Sequence, residues 1–159
     1  MPADPLTILH KFYAAEAAYV RGDADLDAML AHLAPNVLMS QASVLPYGGD
    51  WHGPLGFAGF LRAFAATWAD LEFLDQRFVS DADTVAVHSR GRLTSRVTGR
   101  TLETELIQWI TFHDGLITAF RPFYLDTAAV LATLEPDRTD AAPAELGTAR
   151  SDLSALGRS

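Results

Sequence analysis

The chain has 159 residues, 49% hydrophobic and 20% charged, with 20 acidic against 12 basic residues for a net charge of −8. That length predicts one core, and an acidic balance without any Lys/Arg run excludes a nucleic-acid backbone or an anionic membrane as partner. Cysteine is absent, which removes disulfides, thiol nucleophiles and thiolate metal sites together.

No apolar stretch reaches transmembrane length. The opening MPADPLTILH lacks the basic start and small-residue cleavage site of a signal peptide, so a soluble cytoplasmic protein is the expectation. In residues 5–21, Leu9, Phe12, Tyr13, Glu16, Tyr19 and Val20 recur at helical spacing along one stripe, and Arg21-Gly22-Asp23 ends that helix. A second short helix is predicted from about Leu26 to Leu33, capped by Asp23 or Asp25 and stopped by Pro35-Asn36. Val37–Ala42 alternates weakly and reads as a first strand. SVLPYGGDWHG, residues 43–53, carries Pro46 and Gly48-Gly49 and reads as a shaped loop. Pro54 fits the first position of the next helix, whose buried stripe is Phe57, Phe60/Leu61, Phe64 and Trp68.

Three long strands follow as a meander, at about 71–80, 84–96 and 101–112, with a last strand at 116–125. Both arms of 101–126 carry large residues on both faces, so one face is expected to meet helices and the other a second subunit. Asp126-Thr127 caps a final short helix to Leu134. From Glu135 onward the sequence is polar and without an apolar stripe, and it reads as a mobile tail. The expected division is therefore a domain over 1–134 and a tail over 135–159.

This order of elements is α+β. Gly22-Asp23, the Leu45-Pro46-Tyr47-Gly48-Gly49 loop with Gly53-Pro54, Asp114-Gly115, and Arg121-Pro122-Phe123-Tyr124-x-Asp126-Thr127 resemble, in their sequence along the chain, the nuclear transport factor 2-like superfamily. Within it the chain is similar to the SnoaL-like, polyketide cyclase-like branch. The resemblance covers roughly residues 5–134. It implies a cone-shaped barrel, a curved and mostly antiparallel sheet wrapped around a long helix, with a buried pocket and often a dimer through the outer sheet face. Relatives include cyclases, isomerases, epoxide hydrolases, dehydratases and non-catalytic binding domains, and the fold does not choose among them. Where epoxide-hydrolase relatives carry an Arg/Asp pair and a further Asp, this chain has Ser89, Gly91 and Pro122. Pro122 also displaces the cyclase-type acid, and the first-strand carboxylate or amide position is Gln41.

Strand parity decides which groups meet. If His113-Asp114-Gly115 is a three-residue loop with a bulge, the inner set is Thr104, Leu106, Gln108, Ile110, Phe120, Pro122 and Tyr124; if Asp114-Gly115 is a two-residue turn, Arg121 and Phe123 turn inward. The resemblance favours the first. It also points Val87, Ser89, Gly91 and Leu93 inward and leaves Arg92 outside, near Glu105 as a cross-strand ion pair.

Glu16 interrupts an apolar stripe. It is either a solvated or internally bonded carboxylate, or a buried acid with a raised pKa fit for proton transfer. His52 stands before a helix start, where a loop over a pocket mouth would place an acid/base group; the alternative is an ordinary surface histidine. Tyr19, Tyr47 and Tyr124 each combine an apolar ring with a polar tip, and Trp51 and Trp68 suit either packing or a flat ligand. Asp126 reads first as a helix cap, and Arg121 as a structural pair or a carboxylate binder. With Met39, Gln41, Ser89, Leu106, Gln108 and Phe120, these aromatic residues form the candidate pocket lining. The five histidines (His10, His32, His52, His88 and His113) show no ligand spacing, so no metal site is expected, and no cofactor fingerprint is present. Two functions remain open: a binding domain for a small apolar organic ligand, or a cofactor-independent acid/base enzyme on a polyketide-, terpenoid- or steroid-like molecule. Trp109, Ile107 and Phe123 on the outer face suggest a homodimer.

Overall fold

A computed structural model describes residues 3–137. Helix α1 (Pro5–Val20) starts where Asp4 accepts a hydrogen bond from the Thr7 N–H at 3.1 Å and Pro5 occupies the first turn. It buries Ile8, Leu9, Phe12, Tyr13, Glu16, Ala17 and Val20, the predicted stripe with Tyr19 left half-exposed. Helix α2 is a single turn (Asp27–Leu30), shorter than expected. Chain pairing takes the rest: the Ile117 N–H donates to the His32 carbonyl at 2.9 Å, and strand β1 (Leu33–Gln41) begins there and runs through Pro35-Asn36 on an irregular register.

The expected loop at 43–53 is part strand. β2 (Gly49–His52) pairs antiparallel with β1, Met39 opposite Trp51. Helix α3 (Gly53–Thr67) then buries Phe57, Ala58, Phe60, Leu61 and Phe64. Trp68 is not on that helix; it opens β3 (Trp68–Asp81). β4 (Thr84–Ser95), β5 (Thr101–His113) and β6 (Leu116–Tyr124) complete the meander, and α4 (Thr127–Leu134) starts where Asp126 accepts from the Ala129 N–H at 2.9 Å. Arg100 ties the end of α4 to the chain beyond it, through the Ala132 and Glu135 carbonyls and the Asp137 carboxylate. The expected tail past residue 137 lies outside the described residues.

The six strands form one curved sheet in the order β2-β1-β6-β5-β4-β3, antiparallel except for β1 beside β6. It is not closed, because β2 and β3 remain its two edges. Two helices rather than one fill its hollow, α3 against β1 and α1 against β3. Phe12 of α1 meets Phe57 of α3 and Phe120 of β6 with ring centroids 5.8 and 5.5 Å apart, so all three layers share one aromatic core.

The last hairpin settles parity by a route that neither turn reading contained. Asp114 and Gly115 both have positive φ (48° and 75°) and His113 pairs with Leu116, a two-residue turn. Alone, that turn would send Arg121 and Phe123 inward. Register shifts, however, between Thr111↔Ala119 and Phe112↔Ile117, leaving Thr118 as an extra residue. Its hydroxyl sits 2.9 Å from that of Thr111, and beyond it Phe120, Pro122 and Tyr124 stand opposite Ile110, Gln108 and Leu106. The favoured inner set is therefore present, produced by a bulge within the strand. The outer-face ion pair also differs: Arg92 binds Glu72 and Glu103, each at 2.8 Å, while Glu105 faces His88 at 3.3 Å, because Arg92 lies opposite Glu103 in the β4–β5 register.

Candidate active site in the hollow of the sheet

A cavity lies between the sheet and the two helices. About 40 Å³ of it is open to the centre of a water-sized sphere, against ~10–15 Å³ for one water, so it takes a few waters or the end of a small molecule. Its walls include Glu16, Met39, Gln41, Leu106, Gln108, Phe120 and Tyr124 among the expected site residues, together with Phe60, Phe64, Leu71, Phe73, Gly91, Leu93, Thr104 and Pro122.

Other candidates stand elsewhere. His52 is exposed on the last position of β2 and precedes α3 without capping it through its side chain; the pairing of β2 with β1 holds it away from the cavity. Tyr19 is half-buried beside the core and absent from the cavity wall. Trp51 packs onto α3, where a Cβ at Gly59 would come 3.1 Å from its ring and one at Gly56 3.1 Å from its backbone. Two glycines thus make a seat for an indole, a packing role. Ser89 is fully buried, and its hydroxyl accepts from Gln76 Nε2 at 3.1 Å.

Tyr47 and Trp68 stand one layer behind the wall and reach it by hydrogen bonds. The loop after β1 folds back so tightly that a Cβ at Gly48 would lie 2.4 Å from the Ala42 carbonyl, and this turn buries Tyr47 completely. Trp68 Nε1–H donates to the Tyr47 hydroxyl at 3.2 Å, and that hydroxyl lies 3.2 Å from the one on Tyr124. Indole nitrogen is a donor only. Tyr47 therefore accepts from Trp68, and its hydroxyl shares a hydrogen bond with that of Tyr124 in which either can be the donor. Donors chained in this way polarise one another. Burial raises the pKa of both tyrosines, so both hydroxyls stay protonated.

On the α1 side, Tyr13 donates to Gln108 Oε1 at 2.5 Å. Sequence reasoning assigned Tyr13 to the stripe without a polar role, because nothing in helical spacing marks a hydroxyl that meets a residue 95 positions away. One turn further on, Glu16 is only 7% exposed. Burial alone pushes its carboxyl from the ordinary value of 4.5 up to about 8. Gln41 completes the polar set: Nε2 lies 3.7 Å from the Met39 sulfur, and Oε1 is buried with no partner among the described residues. An orphaned buried acceptor calls for a water or a ligand donor. Among the described residues, no group of three or more potential metal-ligating side chains comes together, and no helix is long and apolar enough to cross a membrane.

The sequence matches the SnoaL-like domain family over residues 9–120. The chain belongs to the SnoaL-like domain family. No curated protein matches it in sequence. Among solved structures, this SnoaL-like domain is similar to a nuclear transport factor 2-like protein from Burkholderia thailandensis (24% identity, 84% of this chain and 99% of the other, TM-score 0.72). It is also similar to a proposed polyketide cyclase from Xanthomonas campestris pv. campestris (22% identity, 82% and 96%, TM-score 0.67). A third is TerC, co-crystallised with polyporic acid (22% identity, 81% and 99%, TM-score 0.68). At these identities the likeness establishes the shared fold.

Proposed function

We propose that this domain is a cofactor-independent acid/base enzyme acting on a small, largely apolar, carbonyl-bearing molecule. The observation that carries this reading is Glu16, a carboxyl inside the cavity whose pKa of about 8 lies near the pH at which it would work. A domain that only binds has no need of a carboxyl held near neutrality, as Glu16 is, whereas Gln41 Oε1, without a partner among the described residues, is open to a ligand donor on either reading. At neutral pH Glu16 is mostly protonated and gives its proton to a substrate oxygen, while Tyr124, backed by Tyr47 and Trp68, donates a hydrogen bond to the same developing charge. The carboxylate left on Glu16 then recovers a proton from substrate carbon or from water. Reactions of this balance are isomerisations, cyclisations and dehydrations. The names of the polyketide cyclase and TerC neighbours, the latter with its oxygenated ligand, support the same substrate class. An epoxide-hydrolase mechanism is not available to Ser89, Gly91 and Pro122.

Carboxyl-labelled NMR of the full chain, with Glu16→Gln to assign the signal, tests the reading. Titration near pH 8 is the expected result, and titration in the ordinary carboxylate range of about 4.3 refutes it. The reading includes a homodimer through the outer sheet face, where Ile107, Trp109 and Phe123 are each about half exposed. A monomeric mass at micromolar concentration would remove that part alone.

A further inference from the structure

Two carboxamides line the Glu16 cavity, and they are set in opposite senses. Gln108 of β5 stands opposite Pro122 of β6. Gln41 lies two residues past Met39 on β1, and Pro122 two residues past Phe120, the partner of Met39. The two amides therefore flank Pro122, two strand spacings or ~10 Å apart at the backbone, and both side chains reach the same cavity.

Each amide has one end taken. Tyr13 of α1 is not itself on the cavity wall; it donates to Gln108 Oε1 at 2.5 Å. The Phe73 and Phe120 rings meet it edge-on, with centroids 5.1 and 6.4 Å away, and fix where its hydroxyl stands. Burial, with a further push from Glu16, holds the Tyr13 pKa above its ordinary value, so the hydroxyl keeps the proton that it donates. The end of Gln108 left for the cavity is Nε2, a donor. Gln41 is the reverse: Nε2 lies 3.7 Å from the Met39 sulfur, and Oε1, an acceptor, has no partner among the described residues.

A fixed donor on one side and a bare acceptor on the other select by polarity. A carbonyl oxygen suits Gln108 and a hydroxyl proton suits Gln41, whereas a ketone alone leaves the buried acceptor unpaired. No Lys or Arg among the described residues lines the cavity, and burying an anion there is costly. We propose that Tyr13 is a positioning residue, which by holding Gln108 Oε1 presents Gln108 Nε2 to the cavity as a carbonyl donor, and that the ligand completing the set is a neutral hydroxy ketone whose hydroxyl pairs with Gln41 Oε1. This deepens the acid/base reading and rests on it in taking the Glu16 cavity as the substrate site.

The test uses NMR of the full chain with labelled side-chain amides. Three glutamines and one asparagine are present, so the signals are few, and Gln41→Leu and Gln108→Met assign them. Methyl ethyl ketone, and acetoin and its β-hydroxy isomer, which add a hydroxyl to the same skeleton, are titrated to ~50 mM, past a Kd of about 10 mM. The ketone should move the Gln108 amide and leave Gln41 in place; a hydroxy ketone should move both. This pattern is read in the parent protein and needs no variant to fold. Affinities come from the labelled Glu16 carboxyl signal at one fixed pH. In Tyr13→Phe they should fall by up to ~10-fold, the share of one hydrogen bond, because the freed Gln108 Oε1 competes for the cavity. Added to Gln108→Met, where no amide is left to position, Tyr13→Phe should have no further effect; melting curves confirm that each variant is folded. A Tyr13→Phe that changes no affinity, or changes it equally with and without Gln108, overturns the positioning role. A ketone that moves Gln41 and not Gln108 overturns the donor assignment, and hydroxy ketones that leave Gln41 unmoved overturn the ligand class. If no compound moves either amide, the proposal fails as a whole. The Glu16 midpoint is titrated without ligand, so the acid/base reading stands or falls by itself.

Discussion

Glu16→Gln separates what burial does to a charge from what it does to a side chain. In the folded protein the Glu16 carboxyl ionises at about 8, raised from 4.5 by burial. Between those values the folded state keeps a proton that the unfolded chain has lost. Stability therefore falls as pH rises through this window, by up to about 1.4 kcal/mol per pH unit, and is unaffected by Glu16 below and above it. From the acid side to pH 7 the loss is about 3 kcal/mol, and it reaches about 5 kcal/mol above pH 8. Glutamine does not ionise. The stability of Glu16→Gln minus that of the parent should thus climb by about 3 kcal/mol between pH ~4.5 and 7, equivalent to roughly 6–12 °C in Tm for a domain of this size. Urea melts of both proteins across the pH series measure it, and the other carboxylates cancel in the difference. Any fixed cost of placing an amide in the cavity shifts the baseline and leaves the slope unchanged. A difference that stays flat within ~0.5 kcal/mol from pH ~4 to ~9 would show that Glu16 ionises as it does in water, and the argument from burial would be wrong.

Gly91→Leu should fill the cavity while preserving the sheet, because a Cβ at Gly91 meets only the Glu72 carbonyl at 3.4 Å; a small neutral ketone should then shift the labelled Glu16 carboxyl signal in the parent and not in the variant. Tyr47→Phe removes the acceptor of the buried Trp68 N–H and should cost ~1–3 kcal/mol in a urea melt. Tyr124→Phe leaves that N–H paired and should cost less. Deleting Thr118 takes the bulge out of β6 and should turn Arg121 and Phe123 toward the core, so that the variant loses cooperative unfolding in the melt. Asp126→Ala should cost about 1 kcal/mol through loss of the α4 cap, read in the same assay.

Legibility followed the range of the interaction. Helical stripes and alternating strands are local, and α1, α3 and the meander stand within a few residues of their predicted bounds. Glu16 was visible for the same reason, as a carboxylate on an apolar stripe. His52 misled because Gly48-Gly49 suggests a loop, whereas pairing with β1 makes its segment a strand and turns the imidazole outward. Tyr13, Tyr47 and Trp68 each owe their polar role to a partner on another element, which no spacing encodes.

The parity of β6 lies between these cases. The turn residues argue for Arg121 inward, the bulge at Thr118 reverses them, and an extra threonine between Ile117 and Ala119 has no mark in the sequence. Its consequence is chemical. With Pro122 inward the last strand brings no acid to the cavity, and Ser89 and Gly91 bring none from β4. A carboxylate on any of these strands would have kept Glu16 charged company and driven its pKa still higher by repulsion. As the single carboxyl on the cavity wall, Glu16 is shifted by burial alone, to a value at which one proton can be both given and recovered.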